Sequence, residues 1–84
     1  MENKQLLIFK GYRYFNGKTD PSKTYFVLNF MTLPVVTENR GYCQDIDIFV
    51  TKEVYNNFIK NNNLLDNIEV SYEIVGNRVQ YTLN

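Results

Sequence analysis

Residues 42–61, YCQDIDIFVTKEVYNNFIKN, decide the fold because the hydrophobic period changes inside this stretch. Over residues 42–50 apolar and polar side chains alternate, with Ile46, Ile48 and Val50 on one side, which is typical of a half-buried strand. From residue 51 onward the apolar residues recur at helical spacing, at Val54, Tyr55, Phe58 and Ile59. Thr51 is a suitable N-cap and Glu53 suits the positive end of the helix dipole, so the pattern predicts one short helix over residues 51–61.

Two strands are predicted before this stretch. Residues 5–15, QLLIFKGYRYF, are rich in aromatic and branched side chains, and Gly11 inside them marks a bulge or a bend. The turn-forming residues 16–23 follow, and the second strand, residues 24–33, alternates regularly. We expect its core side to carry Phe26, Leu28 and Phe30, and its outer side to carry Tyr25, Val27, Asn29 and Met31.

Two more strands are predicted after the helix. Residues 67–75 place Ile68, Val70, Tyr72 and Ile74 on the core side, and residues 78–83 return with Val79, Tyr81 and Leu83 inward. Gly76 and Asn77 form the tight hairpin turn between them. The predicted order is β-β-β-α-β-β. We expect an all-β fold with one short helix, a five-stranded barrel in a single domain over residues 1–84, because this length leaves room for one core.

The composition excludes most enzyme chemistry. The chain has no His and a single Cys, Cys43, so neither a Cys/His zinc site nor a nucleophile paired with His can be built. We therefore expect no catalytic residue, no bound metal and no cofactor. A lone Cys fits a reducing compartment, and the apolar run over residues 6–9 is too short for a signal peptide or a membrane span. The expected location is cytoplasmic, with no membrane partner.

The charges are balanced overall but unevenly distributed. Nine basic and nine acidic residues give a net charge of zero, which argues against a protein that binds polyanions by charge alone. Residues 1–44 hold six basic and three acidic residues, whereas residues 45–84 hold three and six. Either this is ordinary scatter, or the first half turns a basic face towards a negatively charged partner.

Two sequence patterns are similar to functional motifs but depart from them. Residues 11–19, GYRYFNGKT, are similar to a phosphate-binding loop, but five residues instead of four separate Gly11 from Gly17, and this spacer is strand-forming. Asp45 and Asp47 share one face of a strand, as a metal-dependent nuclease would need. No further carboxylate is fixed beside them, which favours a solvated strand face.

One pattern points to a binding site, because aromatic and basic residues interleave along the first three strands and their loops. Flat rings stack on unpaired bases, and Lys or Arg side chains neutralise phosphates, so this combination suits a single-stranded nucleic acid. The candidate binding residues are Tyr12, Arg13, Tyr14, Lys18, Lys23, Tyr25, Asn29, Arg40 and Tyr42. The alternative is that many of these rings only pack in the barrel, since Tyr and Phe are common strand residues.

Five strands in this order, with a bend at Gly11 and a helix between the third and fourth strands, resemble the oligonucleotide/oligosaccharide-binding (OB) barrel. The size and aromatic content are similar to those of the small OB-fold single-stranded-DNA-binding proteins of phages, plasmids and integrative elements. This resemblance implies that the outer faces of strands two and three hold the nucleic acid, together with the loops between strands one and two and between strands four and five. The residues it selects are Arg13, Lys18, Lys23, Tyr25, Val27, Asn29 and Tyr42. The short Gly76-Asn77 turn and the acidic pair at residues 45 and 47 depart from the pattern of that family.

Two further expectations concern protein partners. Outward apolar residues exceed what a monomer needs to expose, so we expect a homodimer; they are Val27, Met31, Phe49 and Val75. The alternative function is a small protein-binding module, or an inhibitor of a mobile element, that docks on a host or replication protein through an aromatic face or a strand edge. An SH3-like barrel is a weaker alternative fold, because it does not normally carry a helix between strands three and four.

Overall fold

Residues 3–83 are the part of the chain that this computed structural model describes, and they form seven strands and one helix. In chain order these are β1 (Asn3–Asn16), β2 (Thr24–Thr32), β3 (Val35–Val36), β4 (Gly41–Tyr42), β5 (Asp45–Val50), α1 (Lys52–Asn61), β6 (Asn67–Val75) and β7 (Arg78–Thr82). The predicted domain over residues 1–84 includes Met1, Glu2 and Asn84, which lie outside the described residues.

Five of the strands form one antiparallel sheet in the order β5-β2-β1-β6-β7, and this sheet curls into a half-barrel. The prediction of a mostly β fold with one short helix is confirmed. The prediction of a five-stranded barrel is confirmed only in part, because within residues 3–83 the sheet is not closed and ends in two edges, β5 and β7. Closure depends on pairing between two strands that are distant in the chain. The alternation of side chains within each strand does not report on that pairing.

The element order also differs from the predicted β-β-β-α-β-β. Along the chain, two short strands, β3 and β4, come between β2 and β5, and they form a separate two-stranded sheet. The predicted third strand, residues 42–50, is divided at Cys43 and Gln44. At this point the Gln44 amide donates to the Oγ1 atom of Thr32, at 2.9 Å. A side-chain hydroxyl thus replaces the Thr32 carbonyl as the acceptor, whereas the Thr32 amide still donates to the Gln44 carbonyl at 2.9 Å, so regular strand pairing ends at this position.

Gly11 lies at a bulge in β1, as the sequence predicts. The register with β2 shifts by one residue between Phe9 and Gly11, so Lys10 is an extra residue in β1. Because side chains alternate along a strand, the extra residue exchanges the two faces. Residues 7 and 9 face the core before the bulge, and residues 12 and 14 lie on that same side after it. The bulge thus sends Arg13 and Phe15 to the outer face of the sheet.

The core lies between the inner side of the half-barrel and α1; its buried residues are Leu7, Phe9, Leu28, Phe30, Ile48, Tyr55 and Val70. The predicted helix is confirmed, and Oγ1 of its N-cap residue Thr51 accepts a hydrogen bond from the Val54 amide at 3.3 Å. The Phe58 ring of α1 meets Phe9 edge-on, with ring centroids 4.8 Å apart. Among the described residues, no helix is long and apolar enough to cross a lipid bilayer.

Two expectations about exposure are wrong. Val27 lies on the outer side of β2, as predicted, but it is fully buried, because its ladder neighbours Arg13 and Phe49 flank it on both sides. Ile74 and Val79 lie on the predicted side of the β6–β7 hairpin, but they are 69% and 48% exposed. They face each other near the hairpin turn, beyond the residues that pack on the core.

Candidate nucleic-acid interface

The outer face of the sheet carries a cluster of three aromatic rings, Phe15, Tyr25 and Phe49, which we call the outer triad. Phe15 stacks on Tyr25 with ring centroids 5.5 Å apart, and Phe49 meets both rings edge-on, at 6.3 Å from Phe15 and 6.4 Å from Tyr25. Tyr25 is 39% exposed and Phe49 is 59% exposed. The rings therefore support one another and still present surface to solvent.

The strand register explains why these rings meet. Phe15 of β1 lies directly opposite Tyr25 of β2, and Phe49 of β5 lies opposite Val27, the next outward residue of β2. Tyr25 thus lies directly opposite Phe15 and diagonal to Phe49, both within reach of aromatic side chains, and the Phe15 and Phe49 rings meet across β2. The bulge at Lys10 is a condition for this arrangement, because it places Phe15 on the same face as Tyr25.

Arg13 adds a positive charge to the outer triad. Its guanidinium carbon lies 5.0 Å from the centre of the Phe15 ring, within the range of a cation–π contact. Within residues 3–83 Arg13 forms no salt bridge, so its donors remain available to an anionic ligand such as a phosphate. The outer triad thus has a cation held beside flat rings.

The β1–β2 loop carries two lysines at the end of the sheet where Phe15 and Tyr25 of the outer triad lie. The Gly17 amide donates to the Lys23 carbonyl at 2.9 Å, which closes the loop at its base. A Cβ atom on Gly17 would lie 2.8 Å from the Asp20 carbonyl oxygen and 3.2 Å from the Tyr25 ring, so a larger residue does not fit at this close approach. Lys18 and Lys23 are exposed on this loop, and neither forms a salt bridge in the described part of the chain.

The acidic pair on the outer face is partly compensated. Lys10, the extra residue of the bulge, donates to Oδ1 of Asp45 at 2.7 Å in an exposed ion pair. The Asn29 side-chain amide donates to Oδ1 of Asp47, also at 2.7 Å. Within residues 3–83, no group of three or more His, Cys, Asp or Glu side chains is placed so that it could hold a metal ion. Asn29 is a predicted binding residue, and its side-chain amide donates this hydrogen bond to Asp47.

Tyr12 and Tyr14 lie on the opposite face of the sheet from the outer triad. Tyr12 packs edge-on against Tyr55 of α1 with centroids 6.1 Å apart, and Tyr14 packs against Phe26 at 6.0 Å. Both remain exposed, Tyr14 by 67%. Burial raises the pKa of the Tyr55 hydroxyl, and the neighbouring Tyr12 and Tyr14 raise it further. A ligand that covers the outer triad therefore does not cover the predicted stacking residues Tyr12 and Tyr14.

Arg40 and Tyr42 lie apart from both groups, in the β3–β4 hairpin. The Arg40 guanidinium carbon is 4.8 Å from the centre of the Tyr42 ring, and the hairpin is closed by the Thr37 amide, which donates to the Arg40 carbonyl at 2.7 Å. The predicted site residues thus occupy three places, namely the outer face with its loop, the inner face and this hairpin. Arg13, Lys18, Lys23, Tyr25 and Asn29 are the ones that the fold brings together.

Phe15 and Phe49 are not among the binding residues that the sequence predicts. A signal for Phe49 was present in the sequence, because the alternation of residues 45–50 already put it on the outer side. The signal for Phe15 was its spacing, since Arg13 and Phe15 must share a face that excludes Tyr12 and Tyr14. Strand alternation separates Phe15 from Tyr12 and Tyr14, and the bulge at Lys10 then decides that Phe15 lies on the outer face.

No protein-family model matches this chain, and neither a curated protein nor a solved structure does.

Proposed function

We propose that this protein binds single-stranded nucleic acid, in the first instance single-stranded DNA, on the outer triad, and that it catalyses no reaction. The observation that supports this function best is the combination of three mutually packed, partly exposed rings with Arg13 over one of them. Flat rings of this kind accept bases that have left a duplex stack, and each stacked base contributes about 1–3 kcal/mol. Single strands are preferred over duplexes because only their bases can reach a ring face.

The charges beside the outer triad fit a small phosphate footprint. The cations at this end of the sheet that are free of salt bridges within residues 3–83 are Arg13, Lys18 and Lys23. Three phosphate contacts on a single strand give a slope of log affinity against log salt of about −2, from roughly −0.7 per contact. Binding is then driven more by stacking than by charge, as the zero net charge of the chain demands. The resemblance to small OB-fold proteins supports DNA as the nucleic acid.

A matched pair of aromatic variants tests this function. Phe49→Ala removes the most exposed ring of the outer triad, and we expect it to weaken binding by about 1–3 kcal/mol. Tyr14→Ala removes a similarly exposed ring from the opposite face, and we expect no change in affinity. The measurement is fluorescence anisotropy of a labelled oligo-dT strand, with duplex DNA and oligo-U as competitors. Equal losses for the two variants, or no wild-type binding at tens of micromolar protein and low salt, would refute the proposal.

Protein docking is the second candidate function, and the β3–β4 hairpin favours it. Residues 33–45 are all exposed, and Val36 at the hairpin is 79% exposed. An exposed apolar hairpin suits contact with another protein, such as a partner in replication or transfer, or with a second copy of this chain. If a homodimer forms through this hairpin, light scattering should give about twice the chain mass of 10.0 kDa. Val36→Ser should then restore the mass of a single chain. A wild-type mass of about 10 kDa at micromolar protein and every salt concentration contradicts the homodimer.

A further inference from the structure

The two edges of the half-barrel face each other across an opening, which we call the slot. Its volume is about 310 Å³, and its lining includes Asp47, Ile48 and Phe49 of β5 and Gln80, Tyr81 and Thr82 of β7. At one end it continues into a mostly apolar groove of about 390 Å³, which Val54 and Leu83 also line. Within residues 3–83, β5 and β7 each pair with one strand of the sheet, so each has one open side. An open strand edge is a template for pairing with another chain.

The strand directions specify what fits between these edges. Each neighbouring pair in the order β5-β2-β1-β6-β7 is antiparallel, so β5 and β7 run in the same direction. Direct closure would require them to pair as parallel strands, which is slightly less stable per residue. One additional strand, running opposite to both edges, instead makes an antiparallel ladder with each wall.

The main-chain groups of both edges are available for such a strand. The Thr32 amide donates to the Gln44 carbonyl at 2.9 Å, which marks a hydrogen-bonded position of the β2–β5 ladder. Because these positions alternate, the main-chain groups of residues 45, 47 and 49 point away from β2. On β7, Arg78 directly follows a two-residue turn and pairs with Val75, so the main-chain groups of residues 79 and 81 point away from β6. Both walls therefore offer donors and acceptors to the slot.

The side chains specify the chemistry of the occupant. On the inner side of the slot Ile48 and Tyr81 are apolar and adjoin the core, whereas Asp47, Gln80 and Thr82 are on the outer side. Asp47 is the charged residue of this lining, and within residues 3–83 no salt bridge neutralises it. A segment with alternating side chains satisfies both sides, if it carries aliphatic residues inward and a Lys or Arg outward near Asp47.

We propose that the slot is a binding site for an extended segment of a partner protein, five to six residues long, that completes the barrel as its sixth strand. The length follows from β5, which has six residues, and β7, which has five. The segment alternates aliphatic and polar residues, and its polar side carries a basic residue. Phe49 belongs both to this lining and to the outer triad, but the site is defined by the main chain of the two sheet edges, so it does not rest on nucleic-acid binding.

A synthetic peptide, acetyl-TVKVTV-amide, is the probe. Its valines face inward, and its Thr and Lys residues face outward. Successive amides along a strand point to opposite walls, so N-methylation of the valine amides removes one ladder and N-methylation of the Thr and Lys amides removes the other. We expect each methylated peptide to bind at least about tenfold more weakly than the parent, since each loses several hydrogen bonds. The measurement is a titration followed by amide NMR shifts of the full chain.

Variants of β7 and β5 locate the site. Val79→Pro removes a slot-facing donor and is tolerated at an edge, because that amide does not bond to β6. We expect about fivefold weaker peptide binding, as for one lost hydrogen bond, whereas Val79→Thr keeps the amide and binds as the wild type does. Replacing the peptide Lys by Glu should also weaken binding, and Asp47→Asn should reduce that difference. Amide NMR spectra of each variant verify that it is folded.

Amide hydrogen exchange of the free protein supplies the decisive control. The proposal requires the amides of residues 47, 49, 79 and 81 to exchange rapidly without peptide and to become protected with it. Protection in the free protein would mean that β5 and β7 pair directly, and would overturn the proposal. Loss of binding with only one of the two methylated peptides would mean that the peptide adds to a single edge, and would overturn barrel completion. Equal binding to Val79→Pro and wild type would do the same.

Discussion

The inner and outer faces of the sheet each carry an aromatic triad, and the two differ in what covers them. The inner triad consists of Phe9, Phe30 and Phe58, with ring centroids 4.8 to 5.7 Å apart. The outer triad has nearly the same spacing, at 5.5 to 6.4 Å. Phe58 belongs to α1, which closes the inner face, whereas no element of the described chain is placed over the outer rings. Ring spacing alone therefore does not distinguish a buried aromatic cluster from an exposed one, whereas the presence of an element over the rings does.

The largest expected effect is the loss of a ring from the inner triad. Phe30 is fully buried, so Phe30→Ala should lower the free energy of unfolding by about 3–5 kcal/mol, through lost apolar burial and the cavity it leaves. Phe49→Ala removes a half-exposed ring and should cost about 1 kcal/mol or less. Urea unfolding followed by circular dichroism measures both. Similar losses for the two variants would contradict the distinction between the triads.

Much of the fold can be predicted from the sequence because it is encoded locally. The alternation over residues 45–50, the switch at Thr51 and the Gly76-Asn77 turn all act through near neighbours, and the observed elements follow them within a few residues. The open sheet could not be predicted in this way, because the sequence pattern of either strand alone does not determine whether β5 pairs with β7. The split at Gln44 likewise depends on a hydroxyl of Thr32, which is 12 residues away.

The candidate site could be predicted only in part, and the bulge explains the remainder. A Gly inside a strand indicates a bulge, but not which residue is extra or which face the following side chains take. Tyr12, Arg13 and Tyr14 form one run of aromatic and basic residues in the sequence, although Arg13 lies on the opposite face of the strand from the two tyrosines. Once Lys10 is recognised as the extra residue, residues 13 and 15 join the outer face and residues 12 and 14 join the inner one.

A smaller effect on the inner side is expected from the Tyr55 hydroxyl at alkaline pH. Burial, and secondarily Tyr12 and Tyr14, raise the pKa of Tyr55 in the folded protein above its ordinary value of about 10. The unfolded chain then loses this proton first, so the stability is complete below about pH 10 and falls as pH rises through the folded pKa. We expect Tyr55→Phe to reduce this alkaline loss while leaving stability near pH 7 little changed. An unaltered pH profile between about pH 9 and 11 would contradict this role of burial.

The smallest expected effect separates charge from stacking at the outer triad. Lys23→Ala removes one of the three proposed phosphate contacts, so the salt slope should flatten from about −2 to about −1.4, with affinity falling modestly at low salt. Lys60→Ala makes the same change in net charge at the far end of α1, and it should leave the slope unchanged. Salt-titrated anisotropy with labelled oligo-dT measures both variants. If Lys60→Ala flattens the slope as much as Lys23→Ala does, binding depends on overall charge and the loop lysine does not contact the strand. If neither variant alters the slope while Phe49→Ala still weakens binding, the outer triad acts by stacking without a phosphate contact from this loop.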